Sequence, residues 1–107
     1  MPHHALSELE LKTLYAAISL GDGAGLAAIH EKIVATGRPL ARTNFYDVVN
    51  ALERKGHVRT TMDRARTRGR THNVRILTVT DGGIAAAAAE HRAYASLANG
   101  IEEQLRR

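Results

Sequence analysis

The hydrophobic period of the chain changes at Gly56, and that change limits the fold more than any other feature. Up to Gly56, apolar residues recur at three- and four-residue intervals, the spacing of one helix face. Just beyond it, two short runs alternate apolar with polar, the spacing of half-buried strands. The helical period then returns and continues to the end of the chain.

Three helices are expected ahead of the change. Ser7-Glu8-Leu9-Glu10 matches a capping box, in which Ser7 caps and Glu10 reaches back. Leu6 and Leu11 occupy the two positions of a hydrophobic staple. The first helix runs from about Glu8 to Leu20, with Leu11, Leu14, Tyr15 and Ile18 at helical spacing. Gly21-Asp22-Gly23 breaks it, and Gly21 suits a left-handed cap. A second helix is expected from about Ala24 to Ala35, with Leu26, Ile29, Ile33 and Val34 inward. Gly37 ends it, and Pro39 keeps Arg38 extended. The third runs from Arg42 or Asn44 to Lys55, with Phe45, Val48, Val49 and Leu52 as its apolar stripe.

Beyond Gly56, His57 to Met62 places Val58, Thr60 and Met62 on one face of a strand. Asn73 to Val79 alternates in the same way, and the two runs are close enough to pair antiparallel. Between them, Asp63 to His72 is polar and Arg-rich and reads as a long hairpin loop. Thr80 or Asp81 offers a cap for a last helix from about Gly83. Its Ala85–Ala89 turns form helix readily but bury little. Tyr94, Leu97, Ile101 and Leu105 follow at heptad-like spacing, with Asn99-Gly100 as a kink or an end. Met1 to Ala5 reads as a loose lead-in.

A chain of 107 residues has room for one domain. It holds no cysteine, which excludes disulfides, thiolate zinc sites and thiol nucleophiles. The charge is unevenly spread. From Arg38 to Arg75, ten basic residues meet only Asp47, Glu53 and Asp63, a local +7. Five basic and eight acidic residues leave the rest at −3. Lysine occurs only at positions 12, 32 and 55, so the positive charge is mostly the planar guanidinium fork that suits phosphates and guanine edges. No apolar run reaches the roughly 20 residues of a membrane span. Ser7, Glu8 and Glu10 also interrupt any signal-peptide core. No membrane partner and a cytoplasmic location are therefore expected.

Three helices, a hairpin and a final helix, in that order, make a mainly α chain with a small β-hairpin, a winged helix-turn-helix. Residues 1–81 are expected to form the DNA-binding domain and residues 82–107 a C-terminal dimerisation helix. The third helix is then the recognition helix, with Arg42, Thr43, Asn44, Tyr46 and Asn50 on its solvent face. In a major groove Arg pairs with guanine and Asn with adenine. Tyr46 suits a phosphate contact or a cap over the core beside Phe45. The hairpin is the wing. Its Arg64, Arg66, Arg68 and Arg70 alternate with smaller residues, so on an extended ribbon they are expected to project to one side as a comb for phosphates, with His72 beside them. Arg68-Gly69-Arg70 also suits a narrow A·T minor groove. Double-stranded DNA is the expected partner.

The run Thr43-Asn44-Phe45-Tyr46-Asp47-Val48-Val49-Asn50-Ala51-Leu52-Glu53-Arg54-Lys55-Gly56-His57-Val58 resembles the recognition-helix segment of PadR-like transcriptional regulators. That family carries an apolar–Tyr pair there and a Leu-Glu-Arg-x-Gly-apolar ending. Leu77-Thr78-Val79-Thr80-Asp81-Gly82-Gly83 is similar to the family's apolar-Thr-x-x-Gly exit into the last helix. The resemblance spans roughly Leu6 to Ala89. Three features depart from it. Ala41-Arg42-Thr43-Asn44 replaces a Ser-Pro-Gly-Thr opening, leaving Thr43 as the candidate cap. Asn73-Val74-Arg75-Ile76 stands where the family has paired aromatics, and the wing is richer in Arg.

The resemblance implies a homodimer that binds an operator and represses transcription. Leu14, Ile18, Tyr94, Leu97, Ile101 and Leu105, from the first and last helices, are the candidate dimer surface. It also implies a small-molecule effector, since relatives often sense small aromatic molecules at the dimer interface. The few aromatics of this chain fit a ligand-free repressor equally well.

Other functions find little support. His3, His4, His30, His57, His72 and His91 show no zinc-ligand spacing, so neither metal nor cofactor is expected. His57 reads as the first residue of a strand. Gly21-Asp22-Gly23-Ala24-Gly25 follows a helix rather than a strand, and reads as an interhelical turn rather than a phosphate loop. No Ser-His-carboxylate motif is present, and the chain is not expected to be an enzyme. The alternative use of such a fold is a protein- or RNA-interaction module without operator specificity. The +7 segment argues against protein docking, which seldom needs it.

Overall fold

The computed structural model describes residues 6–106. Met1 to Ala5, with His3 and His4, and Arg107 lie outside the described residues.

Helix α1 spans Glu8–Leu20. Its start is the expected capping box. The Ser7 hydroxyl accepts from Glu10 N at 3.1 Å, and Glu10 Oε1 accepts from Ser7 N at 2.8 Å. A cap of this kind stabilises a helix by about 1 kcal/mol. Gly21 closes α1 at φ +92°, but its ψ of 172° is extended, not the left-handed cap expected.

Helix α2, Leu26–Val34, is shorter than the sequence suggests, because Ala24–Gly25 form a strand, β1. Leu26, Ile29 and Ile33 are buried, whereas Val34 faces solvent. Helix α3 spans Arg42–Arg54. Ala41 is its N-cap and no side chain bonds to the helix start, so Thr43 does not take the capping role. Phe45, Val49 and Leu52 are fully buried. Each such side chain contributes about 1.5–3 kcal/mol over an exposed one. That stripe therefore decides which face of α3 turns outward.

Strands β2, Val58–Thr67, and β3, Arg70–Val79, pair antiparallel, with Val58 opposite Val79 and Arg64 opposite Asn73. Strand β1 joins the other edge of β3, Ala24 opposite Leu77, giving the order β1-β3-β2. The segment from Asp63 to His72 is not a long loop. The strands run almost to the tip, and only Arg68-Gly69 turns. Both turn residues have positive φ, +53° and +79°, as a two-residue type I′ turn requires. The outer arm has no core beneath it: Met62, on the face of buried Val58, is already 63% exposed. Its backbone ladder holds it together.

Helix α4, Asp81–Ala98, starts two residues before the expected Gly83 because Thr80, not Asp81, caps it. Thr80 Oγ1 accepts from Gly83 N at 3.1 Å and donates to the Gly56 carbonyl at 2.6 Å. Asn99-Gly100 ends the helix, and a short α5, Glu102–Leu105, follows. One core joins these elements: Leu11 and Leu14, Leu26, Ile29 and Ile33, the α3 stripe, Val58, Leu77 and Ala87. The radius of gyration is 15.7 Å, against about 13 Å for a compact chain of this length, because the hairpin tip and the outer half of α4 project from that core. No described helix is long and apolar enough to cross a membrane.

Candidate nucleic-acid interface

Burial of Phe45, Val49 and Leu52 leaves Arg42, Thr43, Asn44, Tyr46 and Asp47 exposed and Asn50 half-buried. Arg42, Tyr46 and Asn50, four residues apart, form one stripe along α3. That stripe is one wall of an open cleft of about 740 Å³. The other wall is His72, Asn73, Val74 and Arg75 of β3, with the start of α2 between them. Thr43 and Asn44 lie outside this cleft. Tyr46 lies over the core beside Phe45 and also faces solvent. Its ring packs 6.0 Å from Phe45, yet it stays 41% exposed.

Two contacts set the position of α3. At its start, His30 Nε2 donates to the Leu40 carbonyl at 2.7 Å, and the His30 ring lies 5.3 Å from Phe45. His30 thereby pins the turn between α2 and α3, a role no spacing pattern reveals. At its end, Lys55 Nζ reaches Glu10 Oε2 of α1 at 2.7 Å. His57 stands just ahead of β2, which begins at Val58 and not at His57 as expected, and its backbone bonds to Leu52 O and Thr80 N.

A third contact ties α3 to the wing. Arg75 Nη2 donates to Asn50 Oδ1 at 3.0 Å and to Thr60 Oγ1 at 3.1 Å, and lies 3.5 Å from Glu53 Oε1. Thr60 donates in turn to Glu53 Oε2, from its hydroxyl at 2.8 Å and its N–H at 3.0 Å. These two bonds, the hydroxyl first, and then the Arg75 charge outweigh slight desolvation and hold the Glu53 carboxyl below its ordinary pKa. Arg75 was not among the expected site residues. Its partners sit on α3 and β2, well away in sequence, so no local pattern marks it.

The wing arginines do not form a one-sided comb. Arg64 pairs with Asn73 and Arg66 with Thr71, so those four share a face. Arg70 adjoins Thr71 in β3 and therefore points to the opposite face, as does His72. Arg68 sits in the turn between them. The two-residue turn inverts the odd–even parity across the hairpin, and this splits the comb into two sides.

Of the six expected dimer residues, Leu14 belongs instead to the protomer's own core, with none of its surface exposed. Ile18, Tyr94, Leu97, Ile101 and Leu105 are all exposed, as are Tyr15 and Ile84. Tyr15 also packs edge-on against His91, joining α1 to α4. Among the described residues, no group of three or more metal-ligating side chains gathers.

A small helical core with an exposed helix beside a two-stranded arm is a winged helix-turn-helix. More narrowly, the fold is that of PadR-family transcription regulators, as the sequence resemblance implies. A PadR family transcription regulator from Clostridium difficile matches with a TM-score of 0.76 at 9% identity, over 92% of this chain and 99% of that one. A PadR family transcriptional regulator from Eggerthella lenta gives 0.61 at 18%, over 91% and 87%. SSV1 F-93 gives 0.56 at 22%, over 91% and 93%. Identities this low carry the fold and nothing finer. No protein-family model matches the chain, and no curated protein does.

Proposed function

We propose that this chain is a sequence-specific DNA-binding transcriptional regulator acting as a homodimeric repressor. The observation that carries this reading is the cleft between α3 and β3. A helix in a major groove and an arm in the adjoining minor groove are separated by one sugar–phosphate strand, which must pass between them. In this reading that strand runs through the cleft, which is lined by Arg42, His72 and Arg75. The +7 segment from Arg38 to Arg75 supplies the long-range attraction. Known regulators sharing the fold support the same reading.

In this reading Arg42, Thr43, Asn44, Tyr46 and Asn50 read base edges or fix flanking phosphates. Arg64, Arg66, Arg68, Arg70 and His72 hold the backbone or the minor groove, from both sides of the arm. The exposed apolar residues of α1, α4 and α5 pair with the same surface of a second copy, the commonest oligomer geometry.

The test is a salt titration of binding by the full chain. One duplex is the DNA directly upstream of its own gene, and the other is scrambled DNA of equal length. The expected result is a preference of about a thousandfold or more that persists at physiological salt. Equal, steeply salt-dependent binding to both duplexes contradicts operator specificity for that DNA. Absence of binding to either overturns the DNA-binding reading and favours a protein-docking module.

A further inference from the structure

The arm leaves the body of the protein at Arg75. Inward of it, Leu77 is buried in the core and β1 pairs with Ile76. Outward of it, no hydrogen bond or ion pair of a described side chain joins the arm to a helix. Arg75 itself is half-buried, and its Nη2 reaches Asn50 Oδ1 and Glu53 Oε1 on α3 and Thr60 Oγ1 on β2. Thr60 closes the circuit by donating its hydroxyl and its N–H to Glu53 Oε2. Among the described residues, this polar tie is the outermost that holds the arm to α3.

We infer that Arg75 is a positioning residue: through Asn50, Glu53 and Thr60 it sets the angle of the arm against α3, so that arm and helix engage one stretch of duplex together. This rests on the reading of α3 and the arm as the DNA-binding elements. Leverage makes the angle consequential. From Arg75 to the turn at Arg68-Gly69 the arm extends roughly 20 Å, at about 3.3 Å per residue. A tilt of about 10° at its base displaces the tip by roughly 3.5 Å, over half of the minor-groove width of about 6 Å. The cationic tip then misses the groove beside the docked helix. Arg75 also borders the cleft and adds its charge there, but Nη2 is committed to the protein's own geometry.

The experiment is a pair of double-mutant cycles on the full chain, binding the duplex from directly upstream of its own gene. Arg68→Asn removes the tip charge in a residue that tolerates the turn. It is measured in wild type, in Arg75→Met and in Thr60→Val, which breaks part of the tie without changing any charge. Sites this far apart act independently unless a shared element links them. Arg68→Asn is expected to weaken binding about tenfold in wild type and about threefold or less in Arg75→Met, with Thr60→Val between the two. Partial unfolding, or loss of a phosphate contact made by Arg75 itself, scales both affinities equally and leaves the cycle flat. Circular dichroism checks that each variant folds, and the Thr60→Val cycle decides alone if Arg75→Met does not. An equal Arg68→Asn loss in every folded background overturns this inference and leaves DNA binding intact. A wild type that does not bind the duplex overturns both readings together.

Discussion

Gly83 lies against the carbonyl oxygen of His57, closer than any Cβ could approach. This contact gives a physical reason for glycine at the end of the Thr80-Asp81-Gly82-Gly83 exit. An alanine at 83 would press on backbone and on the Val79 side chain, and neither can yield cheaply. Gly83→Ala is expected to cost about 1–3 kcal/mol, read as a lower urea midpoint. Gly82→Ala is the control. A Cβ there meets only Thr80 Oγ1 at 3.6 Å and Gly56 O at 3.7 Å, so it should be neutral or gain up to about 1 kcal/mol.

The Glu10–Lys55 pair predicts an acid limit to stability. Glu10 is only 6% exposed, and burial alone would raise its pKa. The hydrogen bond from Lys55, the one from Ser7 N–H and the Lys55 charge together outweigh burial, and the carboxyl sits below its ordinary value. With the folded pKa below the unfolded one, the stabilisation is complete above the unfolded value of about 4.3. It is lost as pH falls through the lower folded value. Thermal melts should hold a plateau down to about pH 5 and then decline. Glu10→Gln should lower the plateau by about 1–2 kcal/mol and flatten part of the acid decline.

At the tip of the arm, stability and binding are expected to move in opposite directions. Arg68 holds φ +53°, a left-handed conformation that costs a non-glycine residue about 1 kcal/mol and that Asn tolerates better. Asn-Gly is the preferred pair for such a turn. Arg68→Asn should therefore firm the hairpin yet weaken DNA binding at every sequence, making the log–log salt slope shallower by about 0.9. By contrast, Arg42→Ala should relax preference at one base position, by about 1–3 kcal/mol. Fluorescence anisotropy over a salt series separates the two, and a uniform loss from both would contradict this division.

Leu97 is 78% exposed, and Ile101, just past the end of α4, is exposed as well. Neither supports the protomer core, so Leu97→Glu combined with Ile101→Glu should leave the circular dichroism spectrum unchanged. If the proposed homodimer forms through this surface, sedimentation should show a dimer for the wild type and a monomer for the double variant. A dimer that survives both charges would mean that the copies pair through another surface.

What could be read from sequence had local causes. Ser7 and Glu10 are three residues apart, and Phe45, Val49 and Leu52 share one helix face, so α1 and α3 follow from their own residues. Strand β1 does not. Ala24 and Gly25 become a strand only because Ile76 and Leu77, distant in sequence, lie beside them. In the arm, polarity around Arg64 and His72 signals solvent on both faces, not loss of pairing, which is why a loop was the expectation there. Leu14 and Leu97 both lie at helical apolar positions, yet one is core and the other open. Periodicity tells which face is apolar, not what covers it. For the candidate site, the exposed N-terminal face of α3 was legible. The cleft and the Arg75–Asn50 bond were not, because they arise where separate elements meet.

The Thr80 hydroxyl bonds to Gly56, just past the end of α3, and to Gly83 in the first turn of α4. One oxygen thus cross-braces α3, the proposed reading helix, and α4, whose outer half is exposed. In a dimer built through α4, this joint works as the elbow of a pair of calipers. Half-sites on DNA recur every 10–10.5 base pairs, or about 34–36 Å. A small change of angle at the elbow swings a reading helix out of phase with its half-site. Operator spacing then becomes a mechanical property of the protein, set by a hydroxyl that touches no base.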